Sequence, residues 1–263
     1  MNIAKKIEES RKYKPLYKGT IERIVDNAVT KYGEKNAEKE ARNILHQIWD
    51  AYYGIRPNLK KALTRLKGDL KEGKNEKEAI KKILALHSST NERLEVLDRF
   101  YKDIFEITGV PNSIIDCACG LNPLTVFWMN LPKETIYQAF DIDEEEVSFL
   151  KKAFTVLKPI PVPKVQVGDV INKNEFPKAD VALFLKTYPV LEMQEKGAGI
   201  TAIEKQKCKY AVVSFPTKTI SGKEKGMTDF YTKQFEIAAQ SKKWEYKKLH
   251  FPTELVFVIL WSG

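Results

Sequence analysis

Apolar residues in the first hundred positions recur at the three-to-four spacing of amphipathic helices, with no alternating strand pattern between them. Thr20 precedes the first apolar stripe and is predicted to cap it. Ser89 and Glu92 stand at the spacing of a capping box before the last one. Gly109 and Pro111 end that last helix. We therefore predict an all-helical region with helices over residues 21–29, 37–52, 58–66, 76–86 and 94–105.

From residue 112 onward, short apolar strands alternate with amphipathic stretches. The strands are predicted at residues 113–117, 135–140, 164–168, 180–186, 209–214, 244–250 and 255–261. The helices are predicted at residues 122–130, 143–157, 189–206 and 228–241. Such alternation indicates an α/β fold with a mostly parallel sheet covered on both faces. Only a short link separates the last two strands, which predicts a terminal antiparallel hairpin. We expect a helical domain over residues 1–87 and an α/β domain over residues 88–263.

Basic residues are concentrated in the helical half of the chain. The net charge is +9, and residues 1–110 hold 24 Lys and Arg against 17 Asp and Glu. This excess indicates either a surface that meets a polyanion or an ordinary solvated helical face. Three cysteines without a pairing pattern, and no apolar run long enough to cross a membrane, predict a cytoplasmic protein without a membrane partner.

The first predicted strand runs into Asp116-Cys-Ala-Cys-Gly120, a turn of small residues that leads into a helix start at Asn122 and Pro123. Such a turn lets a ligand approach the backbone, and the helix start offers free N–H groups. Ala118 occupies a position where many such loops have a second glycine. The cysteines lack a nearby His or Cys cluster, so we predict no metal site. An ordinary strand–helix turn remains the alternative.

Acidic residues follow three successive strands: Asp116, Asp141 and Asp169. Asp141 stands where an acid accepts hydrogen bonds from ribose hydroxyls, and Asp169 stands where it can meet an adenine amine. Asp143, with Glu146 three residues later, is predicted to cap the next helix. Seven strands with a closing hairpin are the arrangement of class I S-adenosylmethionine (SAM) methyltransferases. The sequence thus favours SAM over a dinucleotide as the cofactor.

Lys186 ends the fourth strand, and a lysine there is expected to face the mouth of the site because burying it is costly. Glu192 follows in the first turn of the next helix. The loop over residues 218–227 holds Lys218, Lys223 and Lys225, which suggests either a basic lid over a phosphate-bearing substrate or a solvated linker. The chain lacks the D/N-P-P-aromatic turn of exocyclic-amine methyltransferases and a thiolate nucleophile for carbon-5 methylation.

Together these motifs resemble the aminoglycoside-resistance methyltransferases that modify N7 of a decoding-site guanosine in 16S rRNA. The motifs that carry this resemblance are His46-Gln-Ile-Trp49, His87-Ser-Ser-Thr-Asn-Glu-Arg93, Cys119-Gly-Leu-Asn-Pro-Leu124, Phe140-Asp-Ile-Asp143, Leu185-Lys186, Pro189-Val-Leu-Glu192, Ser214-Phe-Pro-Thr217, Ser221-Gly-Lys-Glu-Lys-Gly-Met227 and Glu254-Leu-Val256. They span most of the chain, and their combination is more specific than any one of them.

The resemblance implies a role for individual residues. Arg93 would bind the methionine carboxylate of SAM, Asp141 the ribose, and Asp169 would sit near the adenine. Lys186 and Glu192 would line the pocket of the target base as the catalytic residues. The cofactor residues implied are Arg93, Asp116, Gly120, Asp141, Ile142 and Asp169.

The same resemblance implies that the helical region docks on the small ribosomal subunit, and nothing in the sequence demands more than a monomer. Phosphates of 16S rRNA would be met by Lys12, Lys14, Arg42, Arg56, Lys218, Lys223 and Lys225, and Phe215 or Tyr188 would stack on a flipped base. Three alternatives stay open: another rRNA position such as adenine N1, an RNA-binding protein that has lost turnover, and a small-molecule methyltransferase. The last leaves the basic helical region unexplained.

Overall fold

The computed structural model describes residues 2–49, 56–173, 175–217 and 226–261. They form one seven-stranded sheet in the order β3-β2-β1-β4-β5-β7-β6. The strands are β1 (Ser113–Cys117), β2 (Ile136–Asp141), β3 (Lys164–Val167), β4 (Ala179–Leu185), β5 (Cys208–Pro216), β6 (Glu245–His250) and β7 (Glu254–Leu260). The first five are parallel, and β7 lies antiparallel to both β5 and β6. The predicted class I methyltransferase sheet with its closing hairpin is confirmed.

Helices precede the sheet and alternate with its strands. They are α1 (Ile3–Glu8), α2 (Lys18–Tyr32), α3 (Glu34–Ile48), α4 (Leu59–Lys71), α5 (Glu76–Leu84), α6 (Ser88–Arg93), α7 (Leu97–Thr108), α8 (Glu144–Leu157), α9 (Tyr188–Gln194), α10 (Ala198–Glu204) and α11 (Gly226–Ser241). The segment after β1 is a 3₁₀ helix, Asn122–Trp128, rather than an α-helix. None of the helices in the described ranges is long and apolar enough to span the hydrocarbon core of a bilayer.

Apolar side chains cover both faces of the sheet. One face packs against α4, α5, α7 and α8, and the other packs against α9, α10 and α11. Because both faces are covered, even consecutive residues of β4 and β5 are buried. This explains why the strands of the sequence are nearly continuous in apolar character.

The hydrophobic packing of the helical region changes between α3 and α4, and not at residue 87. Helices α1 to α3 form a hydrophobic cluster of their own, which also receives Ile142, Val190 and Met193. Helices α4 and α5 instead contribute to the core beneath the sheet. The boundary expected between residues 1–87 and 88–263 therefore has no counterpart in the packing, since the apolar faces of α4 and α5 have α8 and the sheet as partners.

Three local expectations differ from the structure. Thr20 lies within α2 and not at its cap, because its hydroxyl donates to Asp169. Ser89 lies within α6, which begins after His87, so no capping box forms. The single helix expected over residues 189–206 is two helices, because Gly197 adopts a left-handed conformation with φ of 86° between them.

The carboxylate of Asp143 joins the N-terminal helices to the sheet. As predicted, it caps α8, accepting the backbone N–H groups of Glu145 and Glu146. It also accepts Trp49 Nε1 at 2.7 Å and Arg56 Nη2 at 2.7 Å, and Asp143 as a whole is fully buried. This one carboxylate thus accepts hydrogen bonds from the N-terminus of α8, from the indole at the end of α3 and from a guanidinium.

Replacing Asp143 with Ala should lower the free energy of unfolding by about 2–4 kcal/mol, because the cap is lost and a partly buried guanidinium and an indole N–H lose their acceptor. Urea unfolding followed by circular dichroism measures this. Glu145→Ala is the matched control: it removes an exposed carboxylate that also pairs with Arg56 and should change the value by less than about 0.5 kcal/mol. Equal losses in the two variants would contradict the central role of Asp143.

Candidate functional site

A cleft opens at the carboxyl ends of the parallel strands. Its walls are the turn after β1, the loops after β2 and β3 and the end of β4, closed from the helical side by α3, α6 and α9. The empty space, with its open mouth, is about 880 Å³. The structure therefore brings together residues from segments far apart in the chain.

The turn after β1 places two residues in the left-handed backbone region, Ala118 with φ of 52° and Gly120 with φ of 49°. A left-handed alanine costs roughly 1–2 kcal/mol, so the turn holds strain at the edge of the cleft. The N–H of Gly120 donates to Asp141 Oδ2 at 2.8 Å. A Cβ at Gly120 would meet the His87 ring at 3.4 Å, an ordinary contact, so the left-handed backbone rather than lack of space favours glycine at this position.

Asp141 lies at the centre of the cleft wall. Its Oδ2 accepts the N–H of Gly120, and its Oδ1 accepts the N–H of Asp143 at 3.0 Å. Burial raises the pKa of Asp141 to about 6, although the backbone donors oppose this shift. Each carboxylate oxygen has a second lone pair, so both oxygens can still accept a ligand hydroxyl. Ile142 lines the cleft next to it.

Asp116 contacts the cleft, and protein partners already occupy one of its oxygens. Its Oδ2 accepts Asn122 Nδ2 and the hydroxyl of Tyr137, each at 2.8 Å. Burial raises the pKa of Asp116 to about 7, and the two hydrogen bonds and Arg93 oppose the shift. This carboxyl therefore changes protonation near neutral pH.

A buried cluster of charges forms the other end of the cleft. Arg93 donates through Nε and Nη2 to the two oxygens of Glu254, and through Nη1 to Asn122 Oδ1. Lys186 Nζ lies 2.5 Å from Glu92 Oε2 and 3.8 Å from Glu254 Oε2. Arg93 has five N–H donors, and these bonds engage three of them. It can therefore also bind a ligand carboxylate from its place in the cleft wall.

The sequence pattern indicated no individual role for Glu254 or His87, and it placed Glu92 in a capping box that does not form. Burial acts to raise the pKa of Glu254, but Arg93 and Lys186 outweigh it, and the pKa lies below its ordinary value. An acid at the start of an otherwise apolar strand was the sequence signal for Glu254. Burial lowers the pKa of His87 to about 3, so its imidazole, which lines the cleft, is neutral.

Asp169 lines the cleft, but residues of α2 already hold its carboxylate. Oδ2 accepts the Thr20 hydroxyl and both Nε and Nη2 of Arg23, and Oδ1 accepts the N–H of Ile171. Arg23 also donates to Gln194 of α9. No pattern in the sequence indicates this ion pair, because its partners lie 146 residues apart.

Glu192, predicted in the base pocket, does not line the cleft. Its two oxygens accept the backbone N–H groups of Gly197 and Gly199, each at 2.9 Å. It therefore holds the turn between α9 and α10, whose left-handed glycine leaves these donors free for a side chain. Lys186, by contrast, lies in the cleft wall with only 4% of its surface exposed.

The two aromatic residues expected to stack on a base lie in the core. Phe215 is completely buried, and Tyr188 is 2% exposed. Both pack against Phe235 of α11 with ring centroids 5.5 Å apart. Phe215 is not exposed to a base in this conformation, because α11 covers that face of β5.

The predicted phosphate-binding residues differ in their availability. Lys12 and Lys14 are exposed. Arg42 is half-buried and pairs with Glu38, while Arg56 lies over the ring of Trp49 and pairs with Asp143. The remaining three, Lys218, Lys223 and Lys225, lie outside the described residues. Within the described ranges, no group of three His, Cys, Asp or Glu side chains has the geometry of a metal site.

Comparison with known proteins gives consistent matches over the whole chain. The family model described as "Ribosomal RNA methyltransferase (FmrO)" matches residues 9–258. A 16S rRNA (guanine(1405)-N(7))-methyltransferase from Micromonospora rosea is 35% identical over 258 residues, covering 96% of this chain and 93% of that protein. A protein of the same name from Proteus mirabilis is 33% identical over 269 residues, covering 98% and 95%. The crystal structure of the 16S rRNA methyltransferase RmtF in complex with S-adenosyl-L-homocysteine has a TM-score of 0.81 at 26% identity, covering 98% of this chain and 96% of that one.

The raised pKa of Asp116 predicts a pH dependence of stability. An unfolded Asp titrates near 3.8 and folded Asp116 near 7, so the native state binds more protons between these values. Its contribution to the free energy of unfolding therefore falls as the pH rises from 4 to 7. Between pH 5 and pH 8, wild type should lose about 1–3 kcal/mol more stability than Asp116→Asn, measured by urea unfolding.

The control for this measurement is Asp26→Asn, which removes a carboxylate from the exposed face of α2. It should follow the wild-type pH profile. A profile for Asp116→Asn that runs parallel to that of wild type would show that Asp116 does not titrate in this range.

Proposed function

This chain belongs to the ribosomal RNA methyltransferase (FmrO) family, and from this we propose that it transfers the methyl group of SAM to N7 of guanosine 1405 in 16S rRNA of the small ribosomal subunit. The proposal rests on the cleft. Its wall contains the buried carboxylate of Asp141, which suits a ribose, and the buried guanidinium of Arg93, which has two N–H donors not engaged by Glu254 or Asn122. Methylation at this decoding-site position gives the cell aminoglycoside resistance. The reaction needs no metal.

The residues of the cleft fit SAM along its length. Arg93 holds the methionine carboxylate through its remaining N–H donors, and Glu254 fixes the guanidinium for that contact. Asp141 would accept the ribose hydroxyls, and Ile142, which lines the cleft next to it, would contact the cofactor. Because Gly120 has no side chain, the ligand can lie close to the backbone there, between the two ends of the cleft. Asp116 lines the cleft and orients Asn122, which in turn contacts Arg93.

The protein contributes mainly placement to the methyl transfer. When bound, SAM supplies an electrophilic methyl group on a sulfonium sulfur. Guanine N7 has a free lone pair, so no general base has to remove a proton. Holding N7 in line with the methyl group supplies most of the acceleration. Lys186, which is buried in the wall of the cleft beside Glu92, positions the target base. Glu192 acts indirectly, by holding the turn between α9 and α10.

To test the proposal, the purified protein is incubated with radiolabelled SAM and isolated small ribosomal subunits. The 16S rRNA is then treated with borohydride and aniline. N7-methylguanosine is reduced and cleaved by these reagents, so we expect strand scission at position 1405. Expression of the protein in a susceptible bacterium should raise the inhibitory concentration of aminoglycosides that bind the decoding site. Naked 16S rRNA serves as the control substrate, since an enzyme that reads RNA shape requires the assembled subunit.

Other outcomes would point elsewhere. Label without scission would move the methyl group to another atom, such as adenine N1. Tight binding of S-adenosylhomocysteine and of subunits without any label would favour an RNA-binding protein that has lost turnover.

The basic helical region is proposed to dock on rRNA through exposed lysines. Reversing the charge of Lys12 and Lys14 together should weaken subunit binding about tenfold or more and reduce its dependence on salt, because phosphate contacts release fewer counterions. Filter binding at several salt concentrations measures both quantities. The matched control reverses Lys151 and Lys152, an exposed pair on α8. Equal losses in the two double variants would show a general effect of charge and remove this surface from the docking site.

A further inference from the structure

Glu146 is a buried carboxyl group in the wall of the cleft that has no partner in the described part of the protein. It lies in the first turn of α8 with only 3% of its surface exposed. Its Oε1 is inaccessible and accepts no hydrogen bond there. Burial raises the pKa of Glu146 to about 8, and no basic side chain offsets this effect. Such a group is costly to keep inside a protein.

The usual structural reason for a glutamate at this position does not apply. In a capping box, the acid three residues after the cap accepts the backbone N–H of the cap residue. Here the cap is Asp143, and its N–H already donates to Asp141 Oδ1 at 3.0 Å. The side chain of Glu146 is therefore turned toward the cleft instead of back to the helix terminus.

The position of Glu146 indicates which part of a ligand it meets. It shares the cleft wall with Asp141 and Ile142 after β2 and with Gly168 and Asp169 after β3. In the sheet, β2 and β3 lie on one side of β1, and β4, which Lys186 follows, lies on the other side. These loops are therefore separated from Lys186 along the edge of the sheet. The carboxylate of Asp169, expected beside the adenine, is already held by Arg23 and Thr20. A carboxyl group with free lone pairs at this end fits a ligand donor.

We infer that Glu146 is a cofactor-binding residue whose carboxyl group accepts a hydrogen bond from the adenosine part of the cofactor, from a ribose hydroxyl or from the exocyclic amine. This inference rests on the proposed function, since it takes SAM and S-adenosylhomocysteine as the ligands. A residue kept for binding rather than folding has a particular signature. Its removal lowers affinity without lowering the stability of the ligand-free protein.

The test measures the affinity of S-adenosylhomocysteine by calorimetry together with urea unfolding of the ligand-free protein. Glu146→Leu, of similar volume and without polar atoms, should weaken binding roughly 5- to 20-fold. Its unfolding midpoint should equal or exceed that of wild type, because an unpaired buried polar group has been removed. Glu146→Gln keeps an acceptor and should restore the affinity to within about threefold of wild type.

The matched controls are Glu144→Leu and Glu144→Gln, in the same helical turn but exposed to solvent. They share the interaction with the helix dipole and should leave the affinity unchanged. A normal affinity for Glu146→Leu would overturn the inference and leave the proposed function intact. A lower unfolding midpoint with both Leu and Gln at position 146 would also overturn it, since that result indicates a structural role. Failure of the wild-type protein to bind the ligand would instead count against the proposed function.

Ligand analogues identify the donor. The 2′-deoxy and 3′-deoxy forms each lack one ribose hydroxyl, and S-inosylhomocysteine replaces the amine with a carbonyl. The analogue that lacks the group donating to Glu146 should bind wild type more weakly than S-adenosylhomocysteine does. Its affinity for Glu146→Leu should equal its affinity for wild type, because the hydrogen bond is already lost. Strictly additive losses for all three analogues would overturn the inference.

Discussion

The arrangement of the molecule depends on the hydrogen bonds and the ion pair that the carboxylate of Asp143 makes. This carboxylate begins α8, holds the indole of Trp49 at the end of α3 and binds the guanidinium of Arg56. Nearby, the backbone N–H of Tyr17 donates to the carbonyl of Ile142, so the N-terminal segment runs directly over the loop after β2. The helical region and the loop after β2 are therefore one structural unit, although they are far apart in the sequence.

Because of these contacts, both the sheet and the helical region contribute residues to the walls of the cleft. The sheet supplies the acids at the ends of β1 and β2, and the helical region supplies Arg23, which neutralises Asp169, and Trp49, which lines the cleft. A surface proposed to dock on rRNA is thus continuous with the wall of the site where the methyl donor is proposed to bind. Substitutions in α2 or α3 that disturb the packing will act on cofactor affinity as well as on docking.

The sequence predicted the sheet well, because buried strands and acids at their ends leave a periodic signal that needs no knowledge of distant contacts. It predicted the role of a residue less well where the deciding partner lies far away in the chain. Glu192 looks free in the sequence but is held by the N–H groups of Gly197 and Gly199, and Phe215 looks accessible but lies under α11. Ser89 has capping-box spacing, yet Glu92 pairs with Lys186 instead.

The buried pair of Arg93 and Glu254 also has a consequence for folding. Arg93 lies before the first strand and Glu254 begins the last one, 161 residues later. A partly folded chain that has assembled the parallel strands without β7 would leave Arg93 without its carboxylate partner, whereas Lys186 keeps Glu92. Such an intermediate is unfavourable, because buried cations need their counter-charge. The two halves of the sheet are therefore linked thermodynamically, and the cluster makes the unfolding of this domain more cooperative.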